Sequence, residues 1–466
     1  MPKVAGVDCS TQSTKVVVCD ADSGEVLAEG SAAHPEGTEV DPNAWWSAFE
    51  EASHGLLEDV TAIGVGGQQH GLVALDDSNQ AVRPALLWND TRSAAAAERL
   101  VGELGGPGEW AQAVGSVPVA SFTVTKLRWM AECEPDLAER VATVMLPHDW
   151  ITWRLSAGGA GPSTDRGDAS GTGYWSPTTG EYRLDLLERA FGRSVRVPRV
   201  LPPAQSAGQT GEGALVSAGT GDNMGAALGL GAGPGDVVVS IGTSGTAFAV
   251  HDVPTSDATG EVAGFADATG RFLPLVCTLN AARVLTATAR LLDTDLAGVD
   301  RLAAESGPGA EGLVLLPYLD GERTPNLPDA CGTLTGLRRT NMGQANVARA
   351  AVEGMLCGLA DGVEALRGQG VRVRRVLLVG GGARSSAVRS IAPTVFGVSV
   401  TVPPPAEYVA LGAARQASWA LAGRPHPPEW EPPGESVEFG AVDAVAGERI
   451  RARYADARGN IHGGYA

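Results

Sequence analysis

The chain has 466 residues, 44% hydrophobic and 19% charged, the balance of a folded globular protein rather than a disordered one. Its 54 Asp and Glu outweigh 35 Lys and Arg, a net charge of −19. That excludes the basic footprint of a general nucleic-acid or anionic-membrane binder, but phosphate can still be bound by backbone amides and helix N-termini.

Val4 to Asp20 reads as two strands around a turn of Ser, Thr and Gln, with Val16-Val17-Val18 suited to a buried strand. An extended segment follows to about Ala33. Asp41-Pro42 then opens a helix, Asp as cap and Pro in the first turn, carrying Trp45, Trp46, Phe49 and on to Leu56-Leu57. A short strand, Ala62 to Val65, ends in Gly66-Gly67-Gln68-Gln69-His70-Gly71. Strand, helix, strand is an α/β signal. The middle, about Ser93 to Gly208, is helical and loop-rich. Gly221-Asp222-Asn223 leads into a helix of small residues, Met224 to Leu230. A second strand pair spans Val237 to Val250. Arg375 to Val379 is a buried strand running into Gly380-Gly381-Gly382-Ala383-Arg384, with a helix beginning near Ser385. An exposed connector, Arg424 to Glu435, precedes a final helix of about Ala446 to Ala457.

The second strand pair repeats the first. Cys9-Ser10-Thr11-Gln12-Ser13-Thr14-Lys15 aligns with Ile241-Gly242-Thr243-Ser244-Gly245-Thr246-Ala247, each an apolar strand, a small polar turn and an apolar strand. Two such hairpins, one near the start of each half, point to two related domains facing a cleft, with two unrelated hairpins as the alternative. The six cysteines are scattered without a C-x-x-C pair, which disfavours a disulfide framework or zinc site and suits small thiols in a reducing compartment. The N-terminus runs into a strand without a signal-peptide core, and no apolar run reaches about 18 residues. The expectation is a cytoplasmic protein without a membrane span.

A phosphate needs converging N–H and O–H donors with little bulk between them. Ser10, Thr11, Gln12, Ser13 and Thr14 supply them in the first turn, and Gly242, Thr243, Ser244 and Gly245 in the second. A tight turn needs the same residue types. Gly380-Gly381-Gly382 lets a ligand approach the backbone, although it is neither a P-loop nor a dinucleotide fingerprint. Asp8, at a strand end beside the first turn, has two readings: a capping aspartate or a carboxylate for Mg2+. Asp222 likewise reads as an N-cap or as a general base for an attacking hydroxyl. Gln68, Gln69, His70, Trp88, Asn89 and Asp90 offer the dense polar groups and apolar wall that suit a polyol.

These residues resemble the FGGY carbohydrate kinases, within the actin-like ATPase superfamily, over nearly the whole chain. Ser121 to Met130 is similar to the first family signature, which departs near its end at Cys133. Gly332 to Leu337 with Asn346 to Glu353 is similar to the second. Within the family, Gly67-Gln68-Gln69-His70-Gly71, Leu87 to Arg92, Tyr318 to Pro325 and Gly380 to Ser385 resemble the xylulose kinase group, with Gln69 where methionine is common. Glycerol kinases carry R-E-T at Gln68-Gln69-His70.

The resemblance implies two ribonuclease H-like α/β domains flanking a central cleft, residues 1–228 mainly for the sugar and 229–466 mainly for the nucleotide. It implies ATP and Mg2+ as cofactors, D-xylulose as acceptor at O5, and a possible homodimer, with no nucleic-acid or membrane partner. It makes Asp222 the catalytic base and Asp8 the carboxylate near Mg2+. Gln69, His70, Trp88, Asn89, Asp90 and Asp222 fall at the sugar. Thr11, Gln12, Gly242, Thr243, Gly381, Gly382 and Ala383 fall at the nucleotide. The first phosphate turn, Ser10-Thr11-Gln12-Ser13, replaces the family's more glycine-rich form. A kinase for another ketose or polyol, or a non-transferring nucleotide switch, are the alternatives.

Overall fold

The computed structural model describes residues 2–156, 161–440 and 443–463. The chain divides into two units: Met1–Ala232, His251–Pro274 and Ala406–Pro433 in the first, and Gly233–Val250, Leu275–Pro405 and Gly434–Ala466 in the second. A single cut at 228/229 does not describe this division, because two later segments belong to the first unit.

The first unit opens with β1 (Lys3–Cys9), β2 (Ser13–Asp20) and β3 (Val26–Ala33), an antiparallel meander. Helix α1 (Pro42–Ala52) starts where Asp41 accepts from the Asn43 amide at 2.9 Å, with Pro42 in the first turn. Such a cap contributes about 1 kcal/mol. The helix ends at Ala52, short of Leu56-Leu57, which pack on the core from the turn beyond it. Strand β4 (Val60–Gly67) runs parallel to β1. Helices α2 (Thr123–Cys133), α3 (Pro147–Leu155) and the short α4 (Arg166–Ser170) follow. Strands β5 (Ser206–Gln209), β6 (Leu215–Ser217) and β7 (Thr220–Gly221) lead into α5 (Asp222–Gly229). This helix begins two residues before the expected Met224, so Asp222 is its first residue and Gly221 its cap.

The second unit carries β8 (Asp236–Ile241), β9 (Gly245–Ala249), the end of β10 (Phe272–Thr278), α6 (Gln344–Gly368), β11 (Arg375–Val379), α7 (Ser386–Phe396) and β12 (Ser399–Val402). Helix α8 (Tyr408–Ala422) belongs to the first unit, and β13 (Val437–Phe439) and α9 (Ala444–His462) to the second.

The first sheet has the order β5-β6-β4-β1-β2-β3, with β7 also paired to β4. The second follows β13-β12-β11-β8-β9-β10. In each, a three-stranded antiparallel meander is joined by two parallel strands and a final antiparallel one. The hairpin repeat in the sequence is thus the visible part of a repeat of whole sheets.

Side chains alternate across a strand. In the first sheet, Ala5, Val7, Ile63 and Val65 face a core with Trp45 and Phe49 of α1 and Trp150 and Ile151 of α3. Val4, Val17 and Ala62 face the other way, onto Ala410, Leu411, Ala414 and Ala417 of α8. Both faces of this sheet need covering, and α8 supplies the second cover. The approach is close: a Cβ on Gly6 would sit 1.8 Å from the Ala410 carbonyl oxygen.

Cys9, Cys19 and Cys357 are buried thiols and Cys133 and Cys331 exposed ones. No described helix is long and apolar enough to cross a membrane.

Candidate active site

Three strand ends meet in the first unit. Asp8 of β1 pairs with Gly66 of β4, Cys9 with Gly67, and Gly67 with Gly221 of β7. This register gathers Asp8, the Gln68-Gln69-His70 segment and Asp222 at one end of one sheet. Asp8 is buried, and its Oδ2 accepts from Ser10 Oγ at 3.1 Å. Its Oδ1 has no hydrogen-bond partner among the described residues. Burial pushes the Asp8 carboxyl up to about 6, against the pull of Lys15 and the Ser10 bond. Lys15 itself pairs with Glu407 at 2.6 Å.

Asp222 is only partly exposed. Its Oδ1 accepts from the Asn223 amide N–H at 2.7 Å and from Asn223 Nδ2 at 2.8 Å. Burial first, and then the neighbouring Asp8 charge, push its carboxyl up to about 7. A carboxylate that titrates near neutrality can take a proton from a hydroxyl and release it again. Asn223 Nδ2 also donates to Gln69 Oε1 at 3.3 Å, while Gln69 Nε2 is buried without a hydrogen-bond partner among the described residues.

His70 takes the left-handed backbone conformation, φ 67°. Its Nδ1 donates to the Gly171 carbonyl at 2.6 Å, and its ring packs against Phe122 and Phe265, at 4.6 and 5.6 Å between centroids. Trp88 has an unexpected partner: its Nε1 donates to Thr11 Oγ1 at 2.8 Å, tying the candidate sugar segment to the first phosphate turn. Asn89 Oδ1 is buried without a hydrogen bond among the described residues. Asp90 departs from expectation. It is buried, its Oδ2 accepts from Thr38 Oγ1 at 2.7 Å, and its Oδ1 accepts from Arg92 N and Nε. These bonds engage both of its carboxylate oxygens within its own surroundings.

The first turn closes with Ser10 N donating to the Ser13 carbonyl at 3.1 Å, and the Gln12 carbonyl accepts from His34 N at 2.8 Å. The Gln12 side chain is exposed. In the second unit, Thr243 is exposed in the β8–β9 turn, its carbonyl accepting from Arg283 Nε at 3.3 Å. Strand β11 runs parallel to β8, Ser240 beside Val379, so Gly380 to Ala383 emerges next to that turn. A Cβ on Gly380 would lie 2.7 Å from the Ile241 carbonyl oxygen, and one on Gly382 only 2.2 Å from Ile241 Cγ2. Those two glycines let the loop seat against β8. Gly381 has nothing within 4 Å of a built Cβ and leaves open backbone, while Ala383 is buried.

Local sequence does not single out Asn223 as a contact, nor His148 and Asp168 at all. His148 Nδ1 lies 2.8 Å from Asp168 Oδ2, both buried. The one available signal was a His-Asp pair following Leu146-Pro147 at a strand end, the side of an α/β sheet where sites form.

Residues 3–231 match the N-terminal domain of the FGGY family of carbohydrate kinases, and residues 237–421 match its C-terminal domain. A xylulose kinase of Streptomyces coelicolor is 48% identical over 439 residues, 91% of this chain and 89% of the relative. The chain belongs to the FGGY family of carbohydrate kinases. A Streptomyces rubiginosus xylulose kinase is 47% identical over 438 residues, with 91% of this chain and 89% of the relative covered. Among solved structures, the xylulose kinase of Bifidobacterium adolescentis is similar at 44% identity and a TM-score of 0.91, covering 98% of this chain and 99% of that one. Membership in this family makes the protein an ATP-using phosphotransferase with a carbohydrate acceptor. It also assigns the actin-like ATPase fold to the two repeated sheets.

Proposed function

We propose that this FGGY kinase transfers the γ-phosphoryl group of ATP to O5 of D-xylulose, giving D-xylulose 5-phosphate and ADP. The observation that carries the chemistry is the Asp222 carboxyl, raised to about 7 by burial and by Asp8 at the meeting of three strand ends. Asp222 takes the proton of the O5 hydroxyl as the new O–P bond forms, and the bond from the γ-phosphorus to the bridging oxygen breaks to release ADP. Asn223 holds one oxygen of Asp222 and leaves the other to the sugar.

The sugar itself is argued from the relatives, which carry the xylulose kinase name at 47% and 48% identity. Gln69, His70 and Asn89 are its candidate contacts, with Trp88 beside them. Asp8 fits a role at Mg2+: a buried carboxylate oxygen without a hydrogen bond is stabilised by a cation. Bound there, directly or through water, Mg2+ supplies positive charge to the phosphates. Thr11 and Gln12 in the first turn, Gly242 and Thr243 in the second, and Gly381, Gly382 and Ala383 in the β11 loop are the candidate nucleotide residues. Gly381 offers backbone, whereas Gly380 and Gly382 shape the loop.

The test is a panel of D-xylulose, D-ribulose, L-ribulose, L-xylulose and glycerol in a coupled ADP assay. The expected result is the highest kcat/KM for D-xylulose, with a 5-phosphate product. A higher kcat/KM for another sugar overturns the assignment of the acceptor, and ATP turnover indifferent to every sugar overturns phosphoryl transfer to a sugar.

A further inference from the structure

We propose that His148 and Asp168 form a buried ion pair that locks together the segments carrying Asp222 and His70, making both of them positioning residues for phosphoryl transfer. The proposal rests on the reading of Asp222 as the general base.

His148 is the second residue of α3 and fully buried. Both of its ring nitrogens face acceptors. Nε2 lies 3.1 Å from the Ala218 carbonyl oxygen, which can only accept. Nδ1 lies 2.8 Å from Asp168 Oδ2, with Asp149 Oδ1 a further ion-pair neighbour at 3.1 Å. The Ala218 carbonyl requires an N–H on Nε2, and an ionised Asp168 requires a second on Nδ1, so with Asp168 as carboxylate the ring is an imidazolium. Burial alone favours the neutral ring, but the Asp168 bond and the charges of Asp149, Asp168 and Asp165 outweigh it and raise His148 to about 10.

The ring sits where the site is assembled. A Cβ on Gly219 (φ 77°) would lie 2.3 Å from His148 Nε2, and one on Gly67 would lie 2.8 Å from His148 Cβ. Gly67 ends β4, and the next residues are Gln68, Gln69 and His70. Ala218-Gly219 leads through β7 to Asp222. The side chain is therefore wedged between the two chain segments that deliver the site. Its partner extends the link. Asp168 lies on α4, whose cap residue Gly171 accepts the Nδ1 bond of His70. Asp165 anchors the start of α4 by accepting from Gly167 N at 2.7 Å and Asp168 N at 3.0 Å. One buried cation thus reaches Asp222 through a carbonyl and His70 through a five-residue helix.

A buried ion pair is a poor way to gain stability, since well-packed apolar residues serve as well, and its attested use is to select one arrangement among several. Here the arrangement selected is the spacing between Asp222 and the Gln69-His70 segment. The pair also lies within the field of the site, because the Asp222 charge is felt at Asp168.

The test uses the full-length enzyme with His148→Gln and Asp168→Asn, each assayed for ATP-dependent D-xylulose phosphorylation between pH 5 and 9. Both variants are expected to lose about 10- to 100-fold in kcat, with the KM for ATP changed less than about threefold. The acid limb of kcat/KM should move in opposite directions. Asp168→Asn removes a negative charge near Asp222 and shifts the limb to lower pH. His148→Gln removes a positive charge and shifts it to higher pH. A merely structural role lowers the folded fraction in both and moves neither limb. Nitrogen NMR of histidine-labelled parent enzyme supplies a readout independent of activity and of variant folding. Two protonated nitrogens on His148 at pH 8 are expected. A neutral His148 ring overturns the proposal, as do unshifted acid limbs or parent-like kcat in the folded variants. So does a stoichiometric divalent cation in the parent that is lost in either variant, since it would take the place of the Nδ1 proton. If the parent shows no activity on D-xylulose, the acceptor assignment fails while the NMR result still decides the state of His148.

Discussion

The β1–β2 turn and the β8–β9 turn occupy the same place in two sheets of the same strand order, yet they are furnished in opposite ways. Around the first turn the working groups are side chains: Asp8 with one unpaired oxygen, Ser10 bonded to it, Thr11 held by Trp88, and Asp222 from the neighbouring strand end. Around the second the working surface is backbone, with glycines at 242, 245, 380, 381 and 382. Beside the first sheet, the buried Asp8 carboxyl and the partly exposed Asp222 carboxyl are both pushed towards neutrality. The contrast within the repeat is one of furnishing: one copy gathers titratable side chains, and the other is rich in glycine backbone.

Removing the Asp222 carboxylate should break this contrast most severely. Asp222→Asn keeps shape and Asn223 within reach but cannot accept a proton, and turnover should fall at least about 1,000-fold while ATP affinity by calorimetry stays within about threefold. Turnover near that of the parent would show that the first turn works by backbone alone. Next in size is pH. The base works deprotonated, so kcat/KM should rise from pH 5 to a plateau above Asp222's value of about 7, roughly 100-fold across two units. A flat profile over that range would remove Asp222 from the proton transfer.

The second turn is probed by shape. Gly382→Ala places a methyl 2.2 Å from Ile241 Cγ2, and should raise the KM for ATP about 10- to 30-fold with little change in the KM for the sugar. Gly381→Ala meets nothing within 4 Å and serves as the control. If the two variants behave alike, loop packing is not what shapes the nucleotide surface. The smallest effect concerns stability. A carboxyl raised in the folded state binds protons more tightly there than in the unfolded chain. The stability linked to it is full below its unfolded value and falls as pH rises towards about 7. Asp222→Asn should therefore be more stable than the parent at pH 8, by about 1–2 kcal/mol after allowing for partial exposure, and should lose that advantage near pH 4 in thermal melts.

Much of the fold was legible because strands and their turns are local. The Asp41-Pro42 cap, the two hairpins and the glycine run after Val379 could each be read from a few neighbouring residues, and the family resemblance joined them. What was not legible depends on distance in sequence. Nothing in Trp88 announces that its indole donates to Thr11, 77 residues earlier. Nothing in Asp90 announces that Thr38 and Arg92 occupy it. His148 was invisible because its meaning comes from Asp168 and Ala218, each too far along the chain to show as a motif. That Ala406–Pro433 joins the first unit could not be read for a similar reason: burial of Val4, Val17 and Ala62 asks for a cover, but not for a particular one.

That cover has a consequence for biosynthesis. Helix α8 closes one face of the N-terminal sheet with residues 408 to 422, and the first unit includes chain as far as Pro433. A growing polypeptide must therefore extend past residue 422 before strands begun at residue 3 are sealed on both sides. Until then Val4, Val17, Cys19 and Ala62 present an open apolar surface, an invitation to chaperones and to aggregation. A nascent chain arrested at residue 405 would hold every strand of the first sheet and still leave one face of it unsealed.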